Sequence, residues 1–153
     1  MPVKQRLATR RQGREWAVQM LVAADINPPA DVEKLIDAFW EQYESLDAED
    51  KEPGVRAGKI RTFADERVRG VLSQLQELDA LIEPLLVNWD YHRLGSVERT
   101  VMRLGAWELK NCPDIPPGVA INEAVDLANW FSTPKSRGIV NGVLDKLKTK
   151  LRT

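Results

Sequence analysis

Apolar residues along this chain recur at spacings of three and four, which is the signature of helices with one buried stripe. Trp16, Ala17, Met20, Leu21 and Ala24 form the first stripe, on a helix predicted to begin near Thr9 and to stop before Asn27-Pro28-Pro29. Asp31 is placed to cap the next helix, whose stripe is Val32, Leu35, Ile36, Phe39, Trp40 and Tyr43. Residues 47–58 are polar, contain Pro53-Gly54 and read as a loop. A long third stripe runs Ile60, Phe63, Ala64, Val68, Val71, Leu72, Leu75, Leu78, Ile82, until Pro84 kinks it or opens a new first turn. Gly95-Ser96 is a stop-and-cap signal before Val97, Val101 and Leu104. Ile121, Ala124, Val125 and Ala128 mark a further helix, and Ile139, Val140, Val143, Leu144, Leu147 and Leu151 the last. No stretch alternates as a strand does. The expected fold is all-α with six to seven helices, arranged as two small helical bundles sharing an interface, about 1–52 and about 59–153.

Composition narrows the class. With 153 residues, 43% apolar and 29% charged, the chain reads as one globular domain rather than a disordered segment. One cysteine (Cys112) and one histidine (His92) leave no intrachain disulfide and no His/Cys metal cage. No run reaches the roughly eighteen apolar residues of a membrane span, and Arg10, Arg11 and Arg14 stand where a signal peptide would have its apolar core. The expectation is a soluble, cytoplasmic protein without metal or cofactor.

The net charge of −1 hides an uneven distribution. Residues 1–14 hold Lys4, Arg6, Arg10, Arg11 and Arg14 with no acid, a local +5. Residues 25–52 hold ten acids against Lys34 and Lys51, a local −8. Residues 134–153 hold Lys135, Arg137, Lys146, Lys148, Lys150 and Arg152 against Asp145, again +5. Two basic ends suit a polyanion if folding brings them together; a basic tail and an ordinary solvated helix face account for them equally simply.

Enzyme signatures are absent. His92 has no second histidine and lies between helices in Trp89-Asp90-Tyr91-His92-Arg93, as a surface or interface residue. The tryptophans Trp16, Trp40, Trp89, Trp107 and Trp130 are able to stack bases, but most stand at or beside stripe positions, where packing is the default. Phosphate-cradling glycine loops are missing. Arginine remains: Arg6, Arg10 and Arg14 follow one another at i, i+4, i+8 along the first helix, with Arg11 about 100° round from Arg10. The planar guanidinium matches phosphate bidentately and stacks on bases, which suits single-stranded RNA.

Residues 10–21, beginning Arg10-Arg11-Gln12-Gly13-Arg14-Glu15-Trp16, resemble the opening helix of the NusB family of transcription antitermination proteins. Residues 96–109, Ser96-Val97-Glu98-Arg99 through Leu104-Gly105-Ala106-Trp107, resemble a helix of its C-terminal half. Pro117-Gly118-Val119-Ala120-Ile121-Asn122-Glu123-Ala124 and Val140-Asn141-Gly142-Val143-Leu144-Asp145 are similar to its two most specific strings. Together the four strings cover nearly the whole chain in order.

The resemblance implies a NusB-like all-α fold and no enzymatic activity or cofactor. It implies binding of single-stranded boxA-like RNA from ribosomal RNA leader transcripts together with NusE, a small-subunit ribosomal protein, in a complex with RNA polymerase and other Nus factors. By position, it points to Arg6, Arg10, Arg11, Arg14, Lys135, Ser136, Arg137 and Ile139 as RNA contacts, which would draw both basic ends to one site. Glu98 and Arg103 match positions near the partner and RNA surfaces. Some relatives self-associate through the surface others use for partners, so a homodimer is within the family's range. The chain departs from the family at Val22, where many members have tyrosine, at Ile139, where an aromatic is common, and at Lys135, which is acidic in some relatives.

Two rivals stand beside this reading. One is a protein-only helical scaffold or NusB-like interaction domain that binds no RNA. The other is the leading domain of a ribosomal RNA methyltransferase, for which a chain ending at residue 153 leaves no room for the catalytic domain.

Overall fold

A computed structural model describes residues 9–46 and 55–152. Seven α-helices make up almost all of it: α1 (Arg10–Ile26), α2 (Val32–Leu46), α3 (Val55–Ser73), α4 (Leu75–Ile82), α5 (Ser96–Asn111), α6 (Pro117–Phe131) and α7 (Pro134–Leu151). Two 3-10 turns, Glu83–Leu85 and Tyr91–Arg93, lie between α4 and α5, and no strand occurs among the described residues. The all-α expectation holds. The chain forms two compact units, residues 1–69 and 70–153, and the division falls within α3.

In the first unit the caps are those expected. Thr9 Oγ1 accepts the Gln12 N–H at 3.2 Å, and Asp31 Oδ1 accepts the N–H groups of Glu33 and Lys34 at 3.0 and 3.4 Å. Trp16, Ala17, Met20, Leu21 and Ala24 are buried. The Trp16 ring meets Trp40 edge-on at 5.1 Å and Tyr43 at 5.4 Å, so the α1–α2 seam is largely aromatic. Gly13 permits a close approach: a Cβ there would stand 2.8 Å from Phe63 Cδ1 on α3. Trp40 Nε1 donates to Asp65 Oδ1 at 2.8 Å, and burial raises the Asp65 pKa against that bond.

Two expectations about α3 and α4 are corrected. The polar stretch 47–58 was expected to be loop throughout, yet α3 begins at Val55; residues 47–54 lie outside the described residues. The stripe from Ile60 to Ile82 is also two helices, because the chain leaves helical geometry at Gln74 (φ −122°, ψ 22°). Ser73 Oγ donates to the Gly70 carbonyl at 2.9 Å, and the Gln74 N–H turns to Val71 O at 3.1 Å instead. A serine hydroxyl that competes for a helix carbonyl supplies the break.

In the second unit α5 buries Val101, Met102, Leu104, Ala106 and Leu109. A Cβ on Gly105 would stand 2.6 Å from Leu144 Cδ1, so α5 and α7 meet at side-chain contact distance. Pro117 and Pro134 occupy the first turns of α6 and α7, where a missing N–H costs nothing. They open helices as well as closing the preceding ones.

Arg152 just past α7 ties off α5. Its Nε donates to Leu109 O at 2.8 Å, Nη1 to Ile115 O at 3.1 Å, and Nη2 to Glu108 O and Cys112 O at 3.3 and 2.8 Å. A cation thus satisfies carbonyls at the negative end of α5. It contributes to the basic C-terminal count but serves the fold.

Candidate nucleic-acid interface

Basic side chains form a cluster in each unit. In the first unit α1 opens with Arg10 and Arg11, both exposed, and its first turn carries no acid. Arg14 departs from the expected surface stripe: it is buried, at 3% exposure. Steps of four residues advance about 40° beyond a full turn, so an i, i+4, i+8 row drifts round the helix and its third member rotates inward. The absence of a side chain at Gly13 brings α1 close enough for Arg14 to reach Phe63.

Three guanidinium carbons surround the Phe63 ring, Arg10 at 5.3 Å, Arg14 at 5.2 Å and Arg67 at 3.4 Å from its centroid. Arg67 is also buried, and its Nη1 donates to Phe63 O at 3.4 Å. The electron-rich faces of one phenyl ring thus hold cations that would otherwise repel. Arg10 is the exposed member of this arrangement, its guanidinium over the Phe63 ring. Arg6 lies outside the described residues.

In the second unit the first turn of α7 carries Lys135 and Arg137, both exposed, and no acid. These cations add to the positive end of the helix dipole. Ile139 is half-buried. Ser136 does not present its hydroxyl to solvent as expected of an RNA contact: it is 3% exposed, and it donates to Glu98 Oε1 at 2.7 Å. Ser132 donates to the same oxygen at 2.7 Å. Burial works to raise the Glu98 pKa, but the bonds from Ser132 and Ser136, the backbone N–H of Glu98 and the Arg99 charge together outweigh it, leaving the pKa below the usual glutamate value. The pair Glu98–Ser136 therefore joins α5 to the start of α7.

Arg103, expected near the partner surface, is also committed internally. Its Nε and Nη2 clasp Asp79 Oδ1 and Oδ2 at 2.8 and 2.9 Å, and its side chain is 12% exposed. The Tyr91 hydroxyl donates to Asp79 Oδ1 at 2.5 Å, and burial followed by that bond raises the Tyr91 pKa.

Two tryptophans depart from the packing default. Trp130 is 76% exposed on α6 and Trp89 is 43% exposed before the second 3-10 turn, with the Lys135 ammonium 5.2 Å from the Trp89 ring centroid. The signal for Trp89 was available: it belongs to no helical stripe and lies between Asn88 and Asp90, both turn formers. His92 is exposed, its Nε2 3.8 Å from Glu83 Oε1. Among the described residues no helix is long and apolar enough to cross a membrane, and no group of three or more His, Cys, Asp or Glu side chains is arranged to hold a metal ion.

The fold and these cationic helix starts define an all-α protein with exposed guanidinium and ammonium groups suited to a polyanion. The NusB family model matches residues 11–149, and the chain belongs to that family. It is 37% identical over 145 residues to the transcription antitermination protein NusB of Sorangium cellulosum, covering 95% of each chain. Among solved structures it is similar to NusB of T. maritima (TM-score 0.78, 28% identity, 97% of this chain and 96% of that one). It is also similar to a chain from a crystal structure of the antitermination factors NusB and NusE in complex with dsRNA (TM-score 0.72, 26% identity, 92% of this chain and 96% of that one). The family comprises transcription antitermination factors and not enzymes.

Proposed function

We propose that this chain binds boxA-like single-stranded RNA of ribosomal RNA leader transcripts together with NusE, and so joins the antitermination complex of RNA polymerase with other Nus factors. The observation that carries this reading is the acid-free opening of α1, where Phe63 orients Arg10 beside the exposed Arg11. Arg6, Arg10, Arg11, Lys135 and Arg137 neutralise phosphates. Ile139 makes apolar contact with the RNA, where an aromatic residue would stack. Arg14 and Ser136 act one step back, Arg14 by filling the Phe63 site and Ser136 by fixing the start of α7. The solved complex of NusB and NusE with dsRNA supports RNA and NusE as partners; the preference for an unpaired strand rests on the family resemblance alone.

The test is a gel shift with boxA-like and scrambled RNA, with and without NusE, at two salt concentrations. Four or five phosphate contacts predict a log–log salt slope of about −3, at roughly −0.7 per phosphate for single strands. A slope near zero, or no preference for boxA-like RNA when NusE is present, refutes the proposal. Stronger binding of a duplex than of the single strand refutes its single-strand part.

A further inference from the structure

We propose that Trp89 is a base-stacking platform, with Lys135 beside it to take the phosphate of the stacked nucleotide; this rests on the RNA-binding reading above and adds a residue to it. The indole is held out of the fold by its neighbours. Asn88 adopts a left-handed conformation (φ 68°), and the Asp90 carboxylate accepts the His92 N–H at 3.0 Å. Two residues on, Tyr91 is 2% exposed and anchored on Asp79. A backbone fixed on both sides of Trp89 leaves the residue 43% exposed, and its apolar surface gains from being covered.

What covers it is indicated by the second observation. The Lys135 ammonium stands 5.2 Å from the indole centroid, at the end of a flexible stem rooted in the acid-free first turn of α7. An indole with an ammonium over one face, on a stem able to swing aside, has two recognition elements that match one nucleotide: a ring surface for a flat base and a cation for its phosphate. Because every base has a π-face, the contact is sequence-tolerant, and it requires an unpaired base.

The experiment measures the affinity of a short single-stranded boxA-like RNA for wild type, Trp89→Ala, Trp89→Phe and Trp130→Ala, as a function of salt. Trp89→Ala should bind about tenfold more weakly, equivalent to about 1.4 kcal/mol, with an unchanged salt slope, because stacking is lost while phosphate contacts stay. Trp89→Phe, which keeps a ring, should lose less than Trp89→Ala, and Trp130→Ala should match wild type. In a further variant, Trp130→Phe, and in wild type RNA should quench tryptophan emission more than in Trp89→Phe, with far-UV circular dichroism checking that each variant keeps its fold. Wild-type affinity in Trp89→Ala, equal losses in Trp89→Ala and Trp130→Ala, or loss of NusE binding with RNA affinity intact overturns the proposal. Failure of the wild-type protein to bind RNA at all refutes the parent reading instead.

Discussion

Replacing Arg152 with alanine should destabilise the protein without touching RNA binding. One guanidinium donates to four carbonyls, those of Glu108, Leu109, Cys112 and Ile115, at 2.8 to 3.3 Å. A hydrogen bond to a charged group contributes about 1.5–3 kcal/mol in isolation, but these four share one donor group and are not additive. Arg152 is half-buried, so water reaches part of the site once the side chain is gone. The expected loss is therefore about 2–3 kcal/mol, including the favourable position of a cation at the end of α5. With a urea m-value of about 2 kcal/mol/M, the unfolding midpoint should fall by about 1 M. Arg152→Lys should recover less than half of this, because an ammonium offers no planar fork to reach carbonyls on two sides. The RNA salt slope should be the same in wild type and Arg152→Ala. A stability loss below about 0.5 kcal/mol, full rescue by lysine, or a shallower salt slope refutes the reasoning.

Gly105→Ala should cost about 1–3 kcal/mol in denaturant melts, since its Cβ would press on the fully buried Leu144 side chain; wild-type stability would show that α5 and α7 part easily. Asp79→Ala should cost about 2–4 kcal/mol by removing the carboxylate that the mostly buried Arg103 guanidinium and the Tyr91 hydroxyl share, and an unchanged melting curve contradicts that. Glu98 has its folded pKa lowered from the reference value of 4.5, so its contribution is fully present above the unfolded value and is lost as pH falls through the lowered folded one. Removing both hydroxyls with Ser132→Ala and Ser136→Ala should move the Glu98 titration, followed by carboxyl NMR, to higher pH; an unmoved titration shows that the hydroxyls do not set it.

Helix starts and stripes were legible because proline, capping side chains and threefold-to-fourfold spacing are local signals. Thr9, Asp31 and the buried run from Trp16 to Ala24 illustrate this. The break at Gln74 escaped because it falls within an uninterrupted apolar pattern, where a Ser73 hydroxyl bond to the Gly70 carbonyl leaves no periodic signal. The first basic stripe was legible as a run of arginines but not in its division between solvent and core. That division depends on Phe63, about fifty residues away in sequence, and on the close approach at Gly13. Charge counting likewise cannot separate Arg152, spent on backbone carbonyls, from Lys135 and Arg137, which face water. Glu98, Ser136 and Arg103 were singled out by resemblance alone, and their hydrogen bonds show what each does within its own unit: Ser136 holds Glu98 and Arg103 holds Asp79.

The central claim, that exposed cations on α1 grip RNA phosphates, is tested most directly by the salt dependence of boxA-like RNA affinity in wild type and in Arg10→Ala/Arg11→Ala, with NusE present. The account predicts a wild-type slope of about −3 that becomes shallower by about 1.4 in the double variant, with the melting curve retained. An identical slope in the two proteins would contradict it.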